Sequence, residues 1–253
     1  MAEFGISFVV YLCVMGGALV GIYLHHVLPP EHVMDDTRQI VNVATGLLAT
    51  LAALVLGLMV ASAKSSFDAR SEEVRESGAR IIMLDRSLRQ YGPQAGEVRE
   101  ILRQLTEARI EHVWIDPKRV REEGAPGSQV AQLEAVRSGL FALAPSSEMQ
   151  KWLHARSLTL LAQLEEARWL LVEQSRGSIP TPFLVVLVFW VAVIFASLGL
   201  FAPRNATVYT VIFVCAFSVA AAIFLILEMD QPFEGLLQIS SEPLRNALEA
   251  IVR

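Results

Sequence analysis

The chain has 253 residues, of which 53% are hydrophobic and 19% are charged, and its formal net charge is -5. Soluble domains have about 45–50% apolar and about 25% charged residues, so this composition predicts a membrane protein. The negative net charge argues against nucleic acid as a partner.

Four apolar segments reach the length of about 20 residues that an α-helix needs to cross the hydrocarbon core. They are approximately residues 6–28, 40–63, 181–202 and 207–227. The first follows Met1-Ala2-Glu3 and has neither a basic start nor a cleavage site of small residues. We therefore expect a membrane span there rather than a signal peptide.

Basic residues predict the orientation of the spans. The loops at 29–39 and 203–206 contain one arginine each, Arg38 and Arg204, and the rest of the 21 Lys and Arg lie on the opposite side. The positive-inside rule places that opposite side in the cytoplasm. Both termini and residues 64–178 are therefore expected to be cytoplasmic.

Residues 64–178 are expected to form a cytoplasmic helical bundle inserted between the second and third spans. Gly92-Pro93 predicts the end of its first helix, and Ser147 with Gln150 resembles a capping box that opens its last. The apolar stripe of the first helix is Val74, Ile81, Ile82, Leu84 and Leu88. The predicted fold is all-α, with spans at 1–63 and 179–228, the bundle at 64–178 and a tail at 229–253.

No helix breaker separates the second span from the helix that follows it. Residues 54–70, LVLGLMVASAKSSFDAR, pass directly from apolar to charged sequence. We expect one rod of about 50 residues, roughly 75 Å long at 1.5 Å per residue. Such a rod suits a helix that lines a pore, and it equally suits a helix that transmits a signal.

Small residues recur every four positions in the second span. Because they let another backbone approach closely, we expect this span to be packed in protein. The row is Thr45, Ala49, Ala53, Gly57 and Ala61. The neighbouring row, which is polar at its ends and apolar in its middle, is Asn42, Gly46, Thr50, Leu54, Leu58 and Ser62. In the first span, Gly17-x-x-x-Gly21 is a second candidate for close packing.

The sequence contains no arrangement of nucleophile and base, no phosphate loop and no metal-ligand spacing. We expect neither enzymatic activity nor a cofactor nor a metal site. His25, His26 and His32 at the outer face are interpreted as interfacial residues, with a pH-sensitive outer mouth as the alternative.

Two segments resemble bestrophin channels. LVLGLMVASAKSSFDAR resembles the bestrophin segment in which a Leu-Gly-Phe turn is followed by Ser, an aromatic residue, an acid and Arg. Residues 226–248, ILEMDQPFEGLLQISSEPLRNAL, resemble the segment with an acid, Pro-Phe-Gly and Leu-Pro-Leu. The chain is more similar still to bacterial bestrophin-like membrane proteins, in its LPPEH turn, its ASAKSSFD segment and its LDRSLRQYGP helix end.

The resemblance implies a homopentamer in a bacterial inner membrane, with the second spans around a central pore for an ion. By position, the pore neck would be Thr50, Leu54 and Leu58, with Leu58 in place of the aromatic residue. The sign of the permeant ion stays open. In the segment after the fourth span, the acidic residues Glu234 and Glu242 are scattered along the chain rather than clustered. We therefore expect no calcium site of the kind that animal bestrophins have.

Charged residues flank the second and fourth spans. Lys64 is interpreted either as a lysine at the lipid interface or as a ring of positive charge at the pore mouth. Asp68 and Arg70 are expected to pair with neighbouring helices. Glu228 and Asp230, ahead of Pro232 and Phe233, are expected at the interface, bonded to Lys64 or Arg70.

Two functions remain open from the sequence. The first is an oligomeric ion channel lined by the second span. The second is a non-conducting scaffold or sensor in the lipid bilayer whose cytoplasmic bundle binds a protein partner.

Overall fold

The computed structural model describes residues 2–29, 35–115, 126–174, 181–203, 205–233 and 235–252, and it contains only helices and their connections there. The described residues form these α-helices, in chain order: α1 Ala2–Val27, α2 Asp35–Tyr91, α3 Gly96–Ile110, α4 Pro126–Ala142, α5 Glu148–Gln174, α6 Thr181–Phe201, α7 Ala206–Asp230 and α8 Glu242–Val252. A 3₁₀-helix, Pro93–Ala95, precedes α3, and a π-helical segment, Glu111–Ile115, follows it. The all-α expectation is therefore confirmed for the described residues.

The contacts of the chain divide it into two compact units. The first unit comprises Met1–Phe67 and Gly177–Gln231, and the second comprises Asp68–Arg176 and Pro232–Arg253. Helix α2 belongs to both, since the division falls inside it after Phe67.

The first unit contains α1, α6, α7 and the first part of α2. Among the residues that the structure describes, four helices are long and apolar enough to cross a membrane, as the sequence predicts: Phe4–Val27, Asp36–Tyr91, Pro182–Phe201 and Ala206–Asp230. The core of the first unit includes Val14 of α1, Leu187 and Phe195 of α6, and Ile223 of α7, all buried.

Helices α1 and α6 approach each other backbone to backbone. A Cβ atom placed at Gly17 or Gly21 would collide with the carbonyl oxygens of Ala192 and Ala196, and one at Gly199 would collide with that of Ala18. Only a residue without a side chain leaves room for this contact. The close packing predicted for Gly17-x-x-x-Gly21 is confirmed.

The second unit buries a helical stripe of α2. Val74, Ile81, Leu84 and Leu88 are buried as predicted. The prediction for Ile82 is wrong, because its side chain is 37% exposed. One residue corresponds to about 100° around a helix, so Ile82 is turned away from the face that Ile81 buries.

Local signals set the helix ends in the second unit. Helix α2 ends at Tyr91, and Gly92 follows with φ 120, a conformation that favours glycine. At the start of α5, the hydroxyl of Ser147 accepts the backbone N–H of Gln150 at 3.1 Å. The side chain of Gln150 returns to the N–H of Ser146 at 2.9 Å, one residue earlier than in a standard capping box.

Residues 229–253, which the sequence predicts only as a tail, contain α8. Helix α8 buries Leu244, Ala247 and Ile251, which share one face at a spacing of three and four residues. Its N-terminal end lies against α2, where a Cβ atom at Gly78 would come within 2.7 Å of the carbonyl oxygen of Pro243.

Two arginines hold the C-terminal end of α8. Arg89 donates to the carbonyl oxygen of Ala250 at 3.0 Å, and Arg99 donates to that of Ile251 at 3.0 Å. The buried carboxylate of Asp85 accepts from Arg99 at 2.6 Å and from Arg89 at 3.1 Å. The last carbonyls of a helix carry partial negative charge and have no intrahelical partner, so these cations stabilise the helix end.

The close contact between α1 and α6 gives a first prediction. Gly21→Ala should destabilise the protein by about 1–3 kcal/mol, because the new methyl group overpacks the contact. Gly16→Ala is the matched control on the same helix, since a Cβ atom there meets nothing within 4 Å. Thermal unfolding in detergent should show a lower Tm for the Gly21 variant alone. Equal Tm values for the two variants would contradict the packing.

Candidate functional site

Helix α2 contacts the core of the first unit along one narrow face. Ala52, Met59 and Ala63 are buried there. At 3.6 residues per turn, Thr50 and Leu54 lie about 160° around the helix from this face. Leu54 and Leu58 are each 62% exposed, and Thr50 is exposed as well. The row predicted as a pore neck therefore points away from the core of the first unit.

The span of α2 is the least buried of the four. Only 11% of its most apolar window is buried inside the chain, against 28%, 22% and 28% for the spans of α1, α6 and α7. A single chain thus leaves most of this helix surface to be covered by lipid, by water or by another protein.

Polar residues lie on the exposed surface of this span. Asn42, Thr50 and Ser62 are all exposed. The hydroxyl of Thr50 donates to the carbonyl oxygen of Gly46 at 2.9 Å, so this donor has its acceptor within the helix. Polar side chains within a membrane generally face a protein interior or a water-filled cavity. Thr50 lies about 160° around the helix from the buried face, and Asn42 and Ser62 lie about 80° to either side of that face, so the polar residues are spread around the exposed surface of α2.

The row of small residues is also exposed within the single chain. Ala49, Ala53, Gly57 and Ala61 contribute nothing to the buried core, and a Cβ atom at Gly57 would meet nothing within 4 Å. Within this chain, close packing occurs between α1 and α6 instead. That the row packs against a second copy stays a prediction.

The residues predicted at the cytoplasmic mouth have different surroundings. Lys64 is exposed, and its ammonium lies 5.9 Å from the ring centroid of Phe67, within the range of a cation–π interaction. Asp68, in the second unit, is exposed. Arg70 is only 3% exposed and takes part in polar interactions. Their role at a pore mouth stays a prediction.

The acidic residues at the end of α7 lie in its last turn. Glu228 is buried, Asp230 is half-buried, and both have interaction partners. A buried carboxylate needs such partners, because its desolvation is otherwise costly. That Glu228 and Asp230 pair with Lys64 or Arg70 stays a prediction.

The segment after α7 forms a closed loop in the second unit. Pro232 is buried, and its carbonyl oxygen accepts the N–H of Ile239 at 2.8 Å. The indole N–H of Trp114 donates to the carbonyl oxygen of Ile239 at 2.7 Å. The Trp114 ring meets that of Phe233 edge to face, with 5.7 Å between centroids. Pro232 and Phe233 thus belong to a folded structural element.

Trp114 is a residue that the sequence analysis missed. It lies in the π-helical segment, and π-helical turns often occur at functional sites. The only signal in the sequence is the tryptophan itself. When its side chain is partly buried, its indole N–H needs a hydrogen-bond acceptor. The acceptor, Ile239, is distant in sequence and could not be inferred.

Histidines at the predicted outer face bond to backbone. The Nδ1 atoms of His25 and His26 lie 2.9 Å from the carbonyl oxygens of Leu200 and Ile22. His32 is outside the described residues. In the part of the chain that the structure describes, no three His, Cys, Asp or Glu side chains are grouped as metal ligands would be.

These features define the class of the protein. Four apolar helices of membrane-spanning length make it a multi-pass membrane protein. The Bestrophin-like domain matches residues 12–244, so the chain belongs to the Bestrophin-like family. No curated protein and no solved structure matches the chain.

The contact between Trp114 and Ile239 gives a second prediction. Trp114→Phe removes the indole donor but keeps an aromatic ring beside Phe233. We expect a loss of about 1 kcal/mol in local stability, the typical net contribution of one hydrogen bond. Hydrogen exchange of residues 235–252 should become faster. Trp169→Phe, at an exposed position of α5, is the control; similar exchange in both variants would argue against the contact.

Proposed function

We propose that the protein is a homo-oligomeric ion channel of the bacterial inner membrane, with α2 around a central pore. The observation that carries this proposal is the exposed face of α2. It combines Leu54 and Leu58 with the exposed polar residue Thr50, and these three lie about 120–160° around the helix from the buried face. Such a mixed face is expected where water replaces lipid.

One copy of α2 cannot enclose a pore, so the proposal requires several copies of the chain. Membership of the Bestrophin-like family supports a pentamer. In this assembly, the exposed row of Ala49, Ala53, Gly57 and Ala61 would lie against the α2 helix of the next copy. Small residues suit such a contact because they let backbones approach closely.

The neck of the proposed pore is formed by Thr50, Leu54 and Leu58. Rings of leucine side chains create a constriction that can exclude water and so block ions. The exposed ammonium of Lys64 would form a positive ring beyond the neck, which favours an anion as the permeant ion. Asp68 and Arg70 continue the same helix into the proposed cytoplasmic bundle.

A second function is favoured by the surface of the second unit. A groove between α2 and α5 is lined by Met83, Trp152 and Leu160, and Trp152 is exposed at its edge. Exposed aromatic and methionine side chains are enriched at protein interfaces. A non-conducting scaffold or sensor would use this groove to bind a protein partner, and conduction would then be absent.

The proposed neck gives a third prediction, which separates these functions. The double variant Leu54→Ala, Leu58→Ala should raise ion flux through reconstituted liposomes several-fold, because it widens and wets the constriction. The control is Leu19→Ala, Leu225→Ala, which truncates two exposed leucines of α1 and α7 and should leave the flux unchanged. Folded pentamers that pass no ions, with or without the neck substitutions, would rule out the channel.

The row of small residues gives a fourth prediction. Gly57→Leu should convert the oligomer to smaller species, because a Cβ atom there meets nothing within 4 Å in its own chain, whereas the added side chain would fill the proposed contact with the next copy. Gly16→Leu on α1 is the control, since its Cβ atom also has open space. Native mass spectrometry in detergent measures the number of copies. An unchanged pentamer in the Gly57 variant would show that this row is not the interface.

A further inference from the structure

A closed loop begins where the span of α7 ends. Helix α7 ends at Asp230, and the first unit ends at Gln231. The carbonyl oxygen of Pro232 accepts the N–H of Ile239 at 2.8 Å, which brings the two ends of the loop together. Both Pro232 and Ile239 are buried. The base of the loop therefore belongs to the folded part of the second unit.

Two neighbouring leucines lie on the exposed part of this loop. Leu236 is 73% exposed, more than any other large apolar side chain that the structure describes, and Leu237 is 41% exposed. Gly235, directly before them, has φ 100, a conformation that favours glycine. The loop thus has a defined backbone turn next to its exposed apolar side chains.

The backbone at these leucines has interaction partners. Leu236 and Leu237 each take part in an interaction, and because a leucine side chain has no polar atom, the backbone must provide the interacting group. A polar group that is already hydrogen-bonded costs less to bring near lipid than one that depends on water. Exposed leucines on an engaged backbone therefore suit contact with an apolar medium.

The covalent chain keeps the leucines close to the membrane. Helix α7 is apolar and long enough to span it, and Leu236 follows Asp230 by six residues. At about 3.5 Å per residue, Leu236 lies within roughly 20 Å of the end of this span. The headgroup region on each side of the hydrocarbon is about 5–8 Å thick. The loop can therefore reach the lipid interface without any change in α7.

We propose that Leu236 and Leu237 insert into the lipid interface beside the end of α7. Lipid is the occupant because the loop continues from a span whose side chains Phe217 and Leu225 are 62% and 50% exposed. Leucine side chains gain free energy when they leave water for the boundary between headgroups and acyl chains. The bond from Trp114 to the carbonyl oxygen of Ile239 holds the base of the loop, so little order is lost on insertion.

Spin labels at single cysteines of the full-length protein test this contact. The protein is reconstituted in vesicles of phosphatidylcholine and phosphatidylglycerol, after Cys13 and Cys215 have been replaced by alanine. Labels at Leu236→Cys and Leu237→Cys should collide several-fold more often with oxygen, which concentrates in lipid, than with a water-soluble nickel chelate. Electron paramagnetic resonance measures both collision rates.

Two control positions calibrate the result. Leu225→Cys, on the span of α7, should show the lipid pattern. Met149→Cys replaces a side chain of α5 that is 65% exposed but distant in sequence from every span, and it should favour the nickel chelate. If the labels at Leu236 and Leu237 behave like the one at Met149, the loop faces water and the proposal is wrong. Labels that neither reagent reaches would show a protein contact, such as a second copy, and would also overturn it.

A second measurement keeps a large apolar side chain in the loop. Leu236→Trp adds a fluorophore, and vesicles of brominated phosphatidylcholine should quench most of the added emission. Met149→Trp is the matched control, because its added emission should stay unquenched. Equal quenching in the two variants would contradict insertion of the loop. Neither measurement depends on ion flux, so the lipid contact and the proposed channel are tested separately.

Discussion

Helix α2 is continuous from Asp35 to Tyr91 and contributes to both units, and apart from its two ends its backbone groups are hydrogen-bonded within the helix. A helix is one of the few structures that can cross hydrocarbon, because no backbone donor or acceptor needs water. The same helix can continue into water if only its side chains change. Here they change near Lys64, so the second part of α2 exchanges an apolar surface for an amphipathic one without a break in the backbone.

Each of the two units is stabilised internally by a different kind of packing. Lipid tails around the spans of the first unit are as apolar as leucine side chains. The hydrophobic effect therefore contributes little to the contacts between these helices. Gly17, Gly21 and Gly199 provide close backbone contact between α1 and α6 instead. In the second unit, water surrounds the helices under the proposed topology. Burial of Ile81, Leu84 and Leu88 of α2 then stabilises the fold in the ordinary way.

Charged groups in the second unit have structural roles. Asp85 orients Arg89 and Arg99 towards the carbonyl end of α8. This network joins α2, α3 and α8 through atoms that are far apart in sequence.

The sequence by itself determined the four spans, the continuity of α2 and its end at Gly92. Each of these follows from local hydropathy or from the conformational preference of one residue. Ser147 and Gln150 also determined the start of α5. The one difference is that the Gln150 side chain accepts the N–H of Ser146 rather than that of Ser147. Helix α8 carried a readable signal in Leu244, Ala247 and Ile251, which the sequence analysis did not use.

Only the tertiary structure decided which face of α2 is buried in the first unit. Ala52, Met59 and Ala63 lie on that face, while Leu54 and Gly57 do not. A span that is apolar all round has no polar side to mark its orientation, so its periodicity carries no information about its neighbours. The partner of Trp114 was likewise beyond the sequence, because it depends on a contact between distant segments.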